Sequence, residues 1–283
     1  MTLRHEEKAM TPQGKIYFLT CFVICCLLSW KINAVNDFLI IANGPFEAEE
    51  VIRKHLPHKT IVALDGAALH LYERKITPHY ILGDFDSLQE IHEKEESLDS
   101  FNFRQVNHHF LSKSPPRDDD LQFEEYAVDF RCDWRPDPLN ITYVRAFSQN
   151  YTDLEKGIKF CALKGANTII IVNSLGGART DHSFGAYSIL AEHHGNPYKI
   201  QLETPQEIIK FVKDETVAFK GTPGAKFGLF GFPEATVSSK GLQWDMRDFL
   251  LKLGGSKSLG NILKETEVTL HIRGAALMMR PNY

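Results

Sequence analysis

Between positions 37 and 172 the chain repeats one pattern: a short, almost wholly aliphatic run stops on small or acidic residues, and a helix-like stretch follows. Residues 38–42 stop at Asn43-Gly44, residues 61–64 at Asp65-Gly66 and residues 80–82 at Gly83-Asp84; residues 141–144 and 168–172 are the fourth and fifth runs. Aliphatic runs without alternation are strands buried on both faces, and strands alternating with helices build a parallel sheet covered on both sides. Two helices have legible starts. Thr152-Asp153-Leu154-Glu155 is a capping box, with Thr152 as N-cap and Glu155 three residues on. Leu154, Ile158, Cys161 and Ala162 then share one helical face, and Gly165 supplies a stop. Asp181 opens a second helix that runs to His193 or His194, with Gly195 and Pro197 ending it.

Beyond residue 195 the helical period disappears. Short runs at 216–219, 226–230, 235–237, 268–272 and 275–279 are separated by Gly, Pro and Ser, the pattern of a small antiparallel unit. The expected fold is α/β: an N-terminal Rossmann-like parallel sheet with helices on both faces over residues 37–195, then a small C-terminal antiparallel β-sandwich over residues 196–283. Residues 89–140, polar and carrying Pro115-Pro116 and Asp118-Asp119-Asp120, read as an insertion with some helix rather than as core. A chain of 283 residues, 43% apolar, can bury its core without disulfide or metal staples. The five cysteines, three of them within one apolar run, have neither the spacing of a zinc site nor an even disulfide count. A net charge of −4 offers no basic field for nucleic acid, so any phosphate site must be local.

The N-terminus stands apart. Residues 16–30 carry no charge and are flanked by Arg4, Lys8, Lys15 and Lys31. That run is short for a membrane span, so residues 1–36 read either as a signal-like segment or as an extension outside the fold. Stable membrane association is expected only if the run is retained.

In an open parallel α/β sheet, ligands bind beyond the carboxyl ends of the strands. Asn43, Asp65, Asp84 and Asp86 fall at those ends, and Asp153 opens the helix after the fourth strand. Any one of these aspartates could simply cap a turn or helix. Four carboxylates on one rim repel one another unless a cation sits among them, and an all-oxygen donor set suits Mg²⁺. Gly176-Gly177-Ala178-Arg179-Thr180-Asp181 joins the fifth strand to a helix start, a setting in which backbone N–H groups and Arg179 can meet an anion. Arg179 could equally pair with Asp181. Lys156, three residues after Asp153, could reach a phosphate or form a local ion pair. Trp244, in a Gly-containing β segment, is either core or a flat stacking surface.

The ordered set Asn43-Gly44, Asp65-Gly66-Ala67, Gly83-Asp84-Phe85-Asp86-Ser87, Gln149 to Lys156 and Arg179-Thr180-Asp181-His182 resembles that of the thiamine pyrophosphokinase family. Gly241-Leu242-Gln243-Trp244 and Ser258-Leu259-Gly260-Asn261 resemble segments of the family's second domain. The resemblance implies that Asp65, Asp84, Asp86 and Asp153 are catalytic and organise Mg²⁺ and the phosphates of ATP. It implies that Asn43, Gly44, Ser87, Gln149, Thr152, Lys156, Arg179 and Asp181 line the ATP path, and that Trp244, Ser258 and Asn261 hold thiamine. It further implies a homodimer with sites near the subunit interface, and attack of the thiamine hydroxyl on the β-phosphorus of ATP to give thiamine diphosphate and AMP. The cytoplasm, where ATP is available, is the expected compartment. Three departures stand out: Ala178 where the family carries Gly, Gly260 where it carries Ser, and a longer span between Ser87 and Thr152. A nucleotide-sugar glycosyltransferase using Asp84 and Asp86, and a non-catalytic nucleotide or thiamine sensor, are the competing readings.

Overall fold

The computed structural model describes residues 36–85, 109, 121–132 and 135–282. The five aliphatic runs are strands: β1 (Asp37–Ile41), β2 (Thr60–Leu64), β3 (Tyr80–Gly83), the second half of β5 (Arg135–Ala146) and β6 (Thr168–Val172). With β7 (Lys199–Glu203) they form a parallel set in the order β5-β3-β2-β1-β6-β7. From β1 the chain steps outward through β2 and β3 on one side, and through β6 and β7 on the other. Each crossover carries its helix to the face that a right-handed connection dictates. The helices α1 (Glu49–His55) and α2 (Ala67–Glu73) therefore pack on one face, with Val51, Ile52 and Leu71 against Leu39, Ile61 and Ile170. On the opposite face, α3 (Asp153–Leu163) and α4 (Thr180–Glu192) set Ile158, Phe160, Ile189 and Leu190 against Phe38, Ile40 and Ile169. Helices on both faces, as expected, explain why β1, β2, β3 and β6 are apolar on both sides.

The start of α3 follows its sequence signal. Thr152 Oγ1 accepts the Glu155 N–H at 3.3 Å, and the helix closes on a Schellman turn in which Ala166 N–H reaches Cys161 O and Gly165 N–H reaches Ala162 O. The Cys161 thiol is fully buried beneath this helix, and burial pushes its pKa up, so it is an inert core group.

The stretch read as an insertion with some helix ends in strands instead. Residues 123–132 and 135–140 belong to β4 (Phe123–Cys132) and the first half of β5, an antiparallel pair that closes one edge of the sheet. Glu124 and Glu125 hid this strand, because charge on an edge strand reads as loop although it is how such edges avoid pairing with other chains. Glu125 accepts both hydrogen bonds from Lys164 Nζ, at 2.8 and 2.9 Å, which ties the pair to the end of α3. Of the earlier part of that stretch, only 109 and 121–122 are among the described residues.

The C-terminal part is antiparallel, as expected, but its strands are longer and joined. β8 (Glu207–Lys213) continues the main sheet from β7, and β13 (Glu267–Pro281), β10 (Lys226–Lys240) and β11 (Phe249–Lys252) follow in that order. The runs at 226–230 and 235–237 are one strand with an irregularity between Gly231 and Ala235, and those at 268–272 and 275–279 are one strand bent at Gly274. At Gly274 (φ +90) a Cβ would lie 2.6 Å from the Glu234 carbonyl, so the bend admits only glycine. β9 (Thr216–Lys220) pairs with the half of β13 that β8 leaves open, and β12 (Asn261–Ile262) with the half of β10 that β11 leaves open. A second core of Phe227, Leu229, Val237, Leu251, Leu270 and Met278 fills the resulting fold.

Candidate active site

The site forms where the strand order reverses, between β1 and β6, and extends over the tips of β2 and β3. Asp65 follows β2 in the left-handed region (φ +42), its N–H bonded to Leu82 O at 2.8 Å, and is 3% exposed. Gly83, at the tip of β3, is pressed against it: a Cβ there would lie 3.1 Å from the Asp65 Cβ. The next residue, Asp84, thereby comes within reach, and Asp153 arrives from the first turn of α3. One carboxylate oxygen from each of Asp65, Asp84 and Asp153 lies within 4.8 Å of the other two. Three aspartates drawn from sequence positions 88 apart thus converge on a single point.

Two basic side chains offset this charge. Lys156, only 2% exposed, donates from Nζ to Asp153 Oδ1 at 3.0 Å. Of its two sequence readings the local ion pair is the one present, and it brings a buried ammonium to the acidic cluster. Arg145, on β5 beside Gly83, feels the charge of Asp84. Burial lowers its pKa, and Glu124 and Asp84 pull the other way. Sequence reasoning passed over Arg145; the available signal was its place at the end of the fourth aliphatic run, where the other strands present their functional groups.

Along the rim, Asn43 is exposed after β1 and its amide rests on Gly66, where a Cβ would come within 2.6 Å of Nδ2. Gly44 backs onto the carbonyl of Asn173 at the tip of β6, and Asn173 Oδ1 accepts the Ala48 N–H at 3.2 Å. Gln149 and Thr152 are exposed ahead of α3. Arg179 and Asp181 are both exposed at the start of α4, joined by two hydrogen bonds at 2.9 and 2.6 Å. That bidentate contact holds the Asp181 carboxyl down at about 2 and raises the Arg179 guanidinium. Asp86 and Ser87 lie outside the described residues.

The residues assigned to thiamine form a second group on the β part. Trp244 is 60% exposed, which excludes the core reading for its ring. Asn261 is buried and acts on the main chain: Oδ1 accepts the N–H of Trp244 and of Ile262, and Nδ2 donates to Trp244 O at 2.9 Å. It fixes the backbone that carries the tryptophan. Ser258 has φ +65 and a buried Oγ without a hydrogen-bond partner among the described residues. His193 is buried. It caps the C-terminus of α4, where Nδ1 and the Tyr198 hydroxyl are 2.6 Å apart, and burial lowers its pKa.

Residues 54–111 match the sequence profile of the family described as thiamin pyrophosphokinase, catalytic domain. The chain is 28% identical to thiamine pyrophosphokinase 1 of Arabidopsis thaliana over 134 residues, 43% of this chain and 49% of that protein. It is also 28% identical to thiamine pyrophosphokinase 2 of the same plant over 156 residues, 51% and 56% of the two chains. The matched region thus spans about half the length of these relatives. In structure, thiamine pyrophosphokinase from Bacillus subtilis superimposes with a TM-score of 0.63 at 18% identity, covering 87% of this chain and 99% of the other. The chain resembles thiamine pyrophosphokinases in both sequence and fold. The profile match takes in Asp65, Gly83 and Asp84, two of the three converging carboxylates and the glycine between them. The structural likeness extends through the β part that carries Trp244. Among the described residues, no helix is long and apolar enough to cross a membrane.

Proposed function

We propose that this protein is an ATP-dependent diphosphokinase that transfers the pyrophosphoryl group of ATP to the hydroxyl of thiamine, yielding thiamine diphosphate and AMP. The observation that carries the reading is the meeting of Asp65, Asp84 and Asp153 beyond the tips of β2 and β3, beside the point between β1 and β6 where the strand order reverses, with Lys156 buried against Asp153. An all-carboxylate donor set of this spread fits a hard divalent cation that keeps several positions for phosphate oxygens and water. Mg²⁺ held there by Asp65, Asp84 and Asp153, with Asp86 as a further candidate ligand, would screen the phosphate charge.

The rest is positioning and charge. Phosphoryl-type transfers ask the protein mainly to align the nucleophile with phosphorus and to stabilise the phosphate oxygens. Lys156 is held at the cluster with little conformational freedom left to lose. Arg179 can exchange its exposed contact with Asp181 for a phosphate, since a guanidinium binds both bidentately. Asn43, Gly44, Gln149, Thr152 and Ser87 complete the ATP path in this reading. Trp244 presents an apolar face for the pyrimidine ring, its backbone set by Asn261, with Ser258 nearby in sequence. Residues 37–195 would bind ATP, residues 196–283 would bind thiamine, and two copies would share their sites across an interface. The cytoplasm is the compartment this substrate pair suits.

A glycosyltransferase built on Asp84 and Asp86 gives no role to the exposed Trp244 or to the Lys156–Asp153 pair. Incubating the purified chain with ATP, Mg²⁺ and thiamine should release AMP and thiamine diphosphate in equal amounts. Release of ADP, or binding without turnover, would overturn the proposal.

A further inference from the structure

The face of the sheet that carries α1 and α2 does not stay apolar as it crosses from the parallel to the antiparallel strands. Register places Val172, Glu203, Ile208 and Arg280 in one row across β6, β7, β8 and β13, and Ile170, Gln201, Lys210 and Met278 in the next. Ile170 and Val172 belong to the core under α1, and Met278 and Val212 to the core of the β part. Between the two cores lies a polar strip of Lys199, Gln201, Glu203, Lys210 and Arg280. Its one carboxylate is already taken. Glu203 is 4% exposed, with Oε2 at 2.9 Å from His55 Nε2 at the end of α1 and Oε1 accepting from Gln201 Nε2 at 2.5 Å.

The cations are not matched in the same way. Arg280 donates to the Pro281 carbonyl at 3.2 Å, and Lys210 Nζ has no hydrogen-bond or ion-pair partner among the described residues. Both side chains are half-buried. Lys210 and Arg280 stand diagonally on neighbouring strands, where long side chains reach one another. Burial lowers the pKa of Lys210, and Arg280 and Lys199 lower it further, against weaker support from Glu203 and Glu215. Burial likewise lowers that of Arg280, with the charge of Glu203 pulling the other way. Partly desolvated like charges side by side are costly unless an anion joins them.

We propose that Lys210 and Arg280, with Lys199 at the margin, form a binding site for a phosphate-type oxyanion, separate from the candidate active site. A guanidinium offers paired N–H donors, and an ammonium adds a point charge, the combination that suits a tetrahedral oxyanion. Lys210 and Arg280 lie four and five strands from the Asp65 strand, about 19–24 Å at ordinary strand spacing. The ligand is free phosphate or the phosphate of a small ester, which present the same group.

The test is a titration of the full chain with inorganic phosphate, and in parallel with glycerol phosphate, at fixed ionic strength in chloride. It is followed by the Arg280 Nε–H resonance and by thermal unfolding, neither of which needs turnover. A saturable shift of that resonance is expected, with affinity reduced about tenfold or more in Lys210→Gln and in Arg280→Gln and largely kept in Lys210→Arg. The stronger of the two ligands identifies the source. In phosphate-free buffer Lys210→Gln should melt higher than the parent chain, and phosphate should abolish that advantage. A shift that never saturates, affinity in both Gln variants equal to that of the parent chain, or a Lys210→Gln chain less stable with and without phosphate would each overturn the site.

Discussion

At the scale of single residues, the three-carboxylate cluster depends on a glycine as much as on its acids. Gly83 lets the β3 tip close on Asp65, and any side chain there must push one of them away. Asp65→Asn and Asp84→Asn should each lower kcat by about 10²-fold or more, the loss typical when one group stabilising transition-state charge is removed. Gly83→Ala should lower kcat with a smaller change in melting temperature, because the displaced atoms belong to the site. Turnover near that of the parent chain in both Asn variants would remove the cluster from the mechanism. The Arg179–Asp181 contact makes a second, independent prediction. Asp181 should titrate near 2 by NMR in the free protein, and its pKa should rise in Arg179→Gln, since the guanidinium is the first cause of its depression. If Arg179 moves to phosphate when ATP binds, the same rise should follow addition of nucleotide.

At the scale of elements, what could be read in advance divides by mechanism. The strands buried on both faces announced themselves, because nothing but an aliphatic run fits between two helical layers. The start of α3 was legible because its cap lies within four consecutive residues. Strands β4, β7, β8 and β11 were not, because each mixes charge with apolar residues, and only the tertiary neighbours decide which side is wet. Glu203 on β7 shows the difficulty: in sequence it is an ordinary surface glutamate, and only the fold places His55 beside it. Burial works to raise its pKa, but the hydrogen bonds from His55 and Gln201 and the charge of Lys54 together hold it below the usual value. A carboxyl whose folded pKa is depressed adds stability above its unfolded pKa and loses it as the pH falls through the folded value. Glu203→Gln should therefore be less stable than the parent chain at pH 7, by about 1–3 kcal/mol for a charged hydrogen-bonded group. That gap should narrow below pH 4. Urea unfolding at both pH values checks it, and a gap independent of pH would mean that packing, not charge, is what the variant loses.

At the scale of the whole molecule, the β part presents more apolar surface than its own core requires. Trp244, Phe249, Leu250, Leu253 and Leu259 are exposed on β11 and the segments around it, and a hollow of about 350 Å³ is lined by Phe230, Leu250 and Leu251 with Lys252 and Lys257. Exposed apolar residues gathered in this way mark an association surface more often than chance scatter does. The sequence signalled Trp244 but not its neighbours, which look like core until β11 is seen with Phe249, Leu250 and Lys252 turned outward. A homodimer built on this surface would place the tryptophan ring at the shared site. Trp244→Ala should then raise the thiamine KM by about tenfold, the worth of one buried aromatic contact, while the ATP KM changes little. Leu250→Asp combined with Leu253→Asp should turn a dimer into a monomer by analytical ultracentrifugation and raise the thiamine KM in step. If the doubly substituted chain is monomeric yet keeps its thiamine KM, the thiamine site is complete within one chain. A parallel rise in the ATP KM of Trp244→Ala would mean instead that the ring supports the fold as a whole.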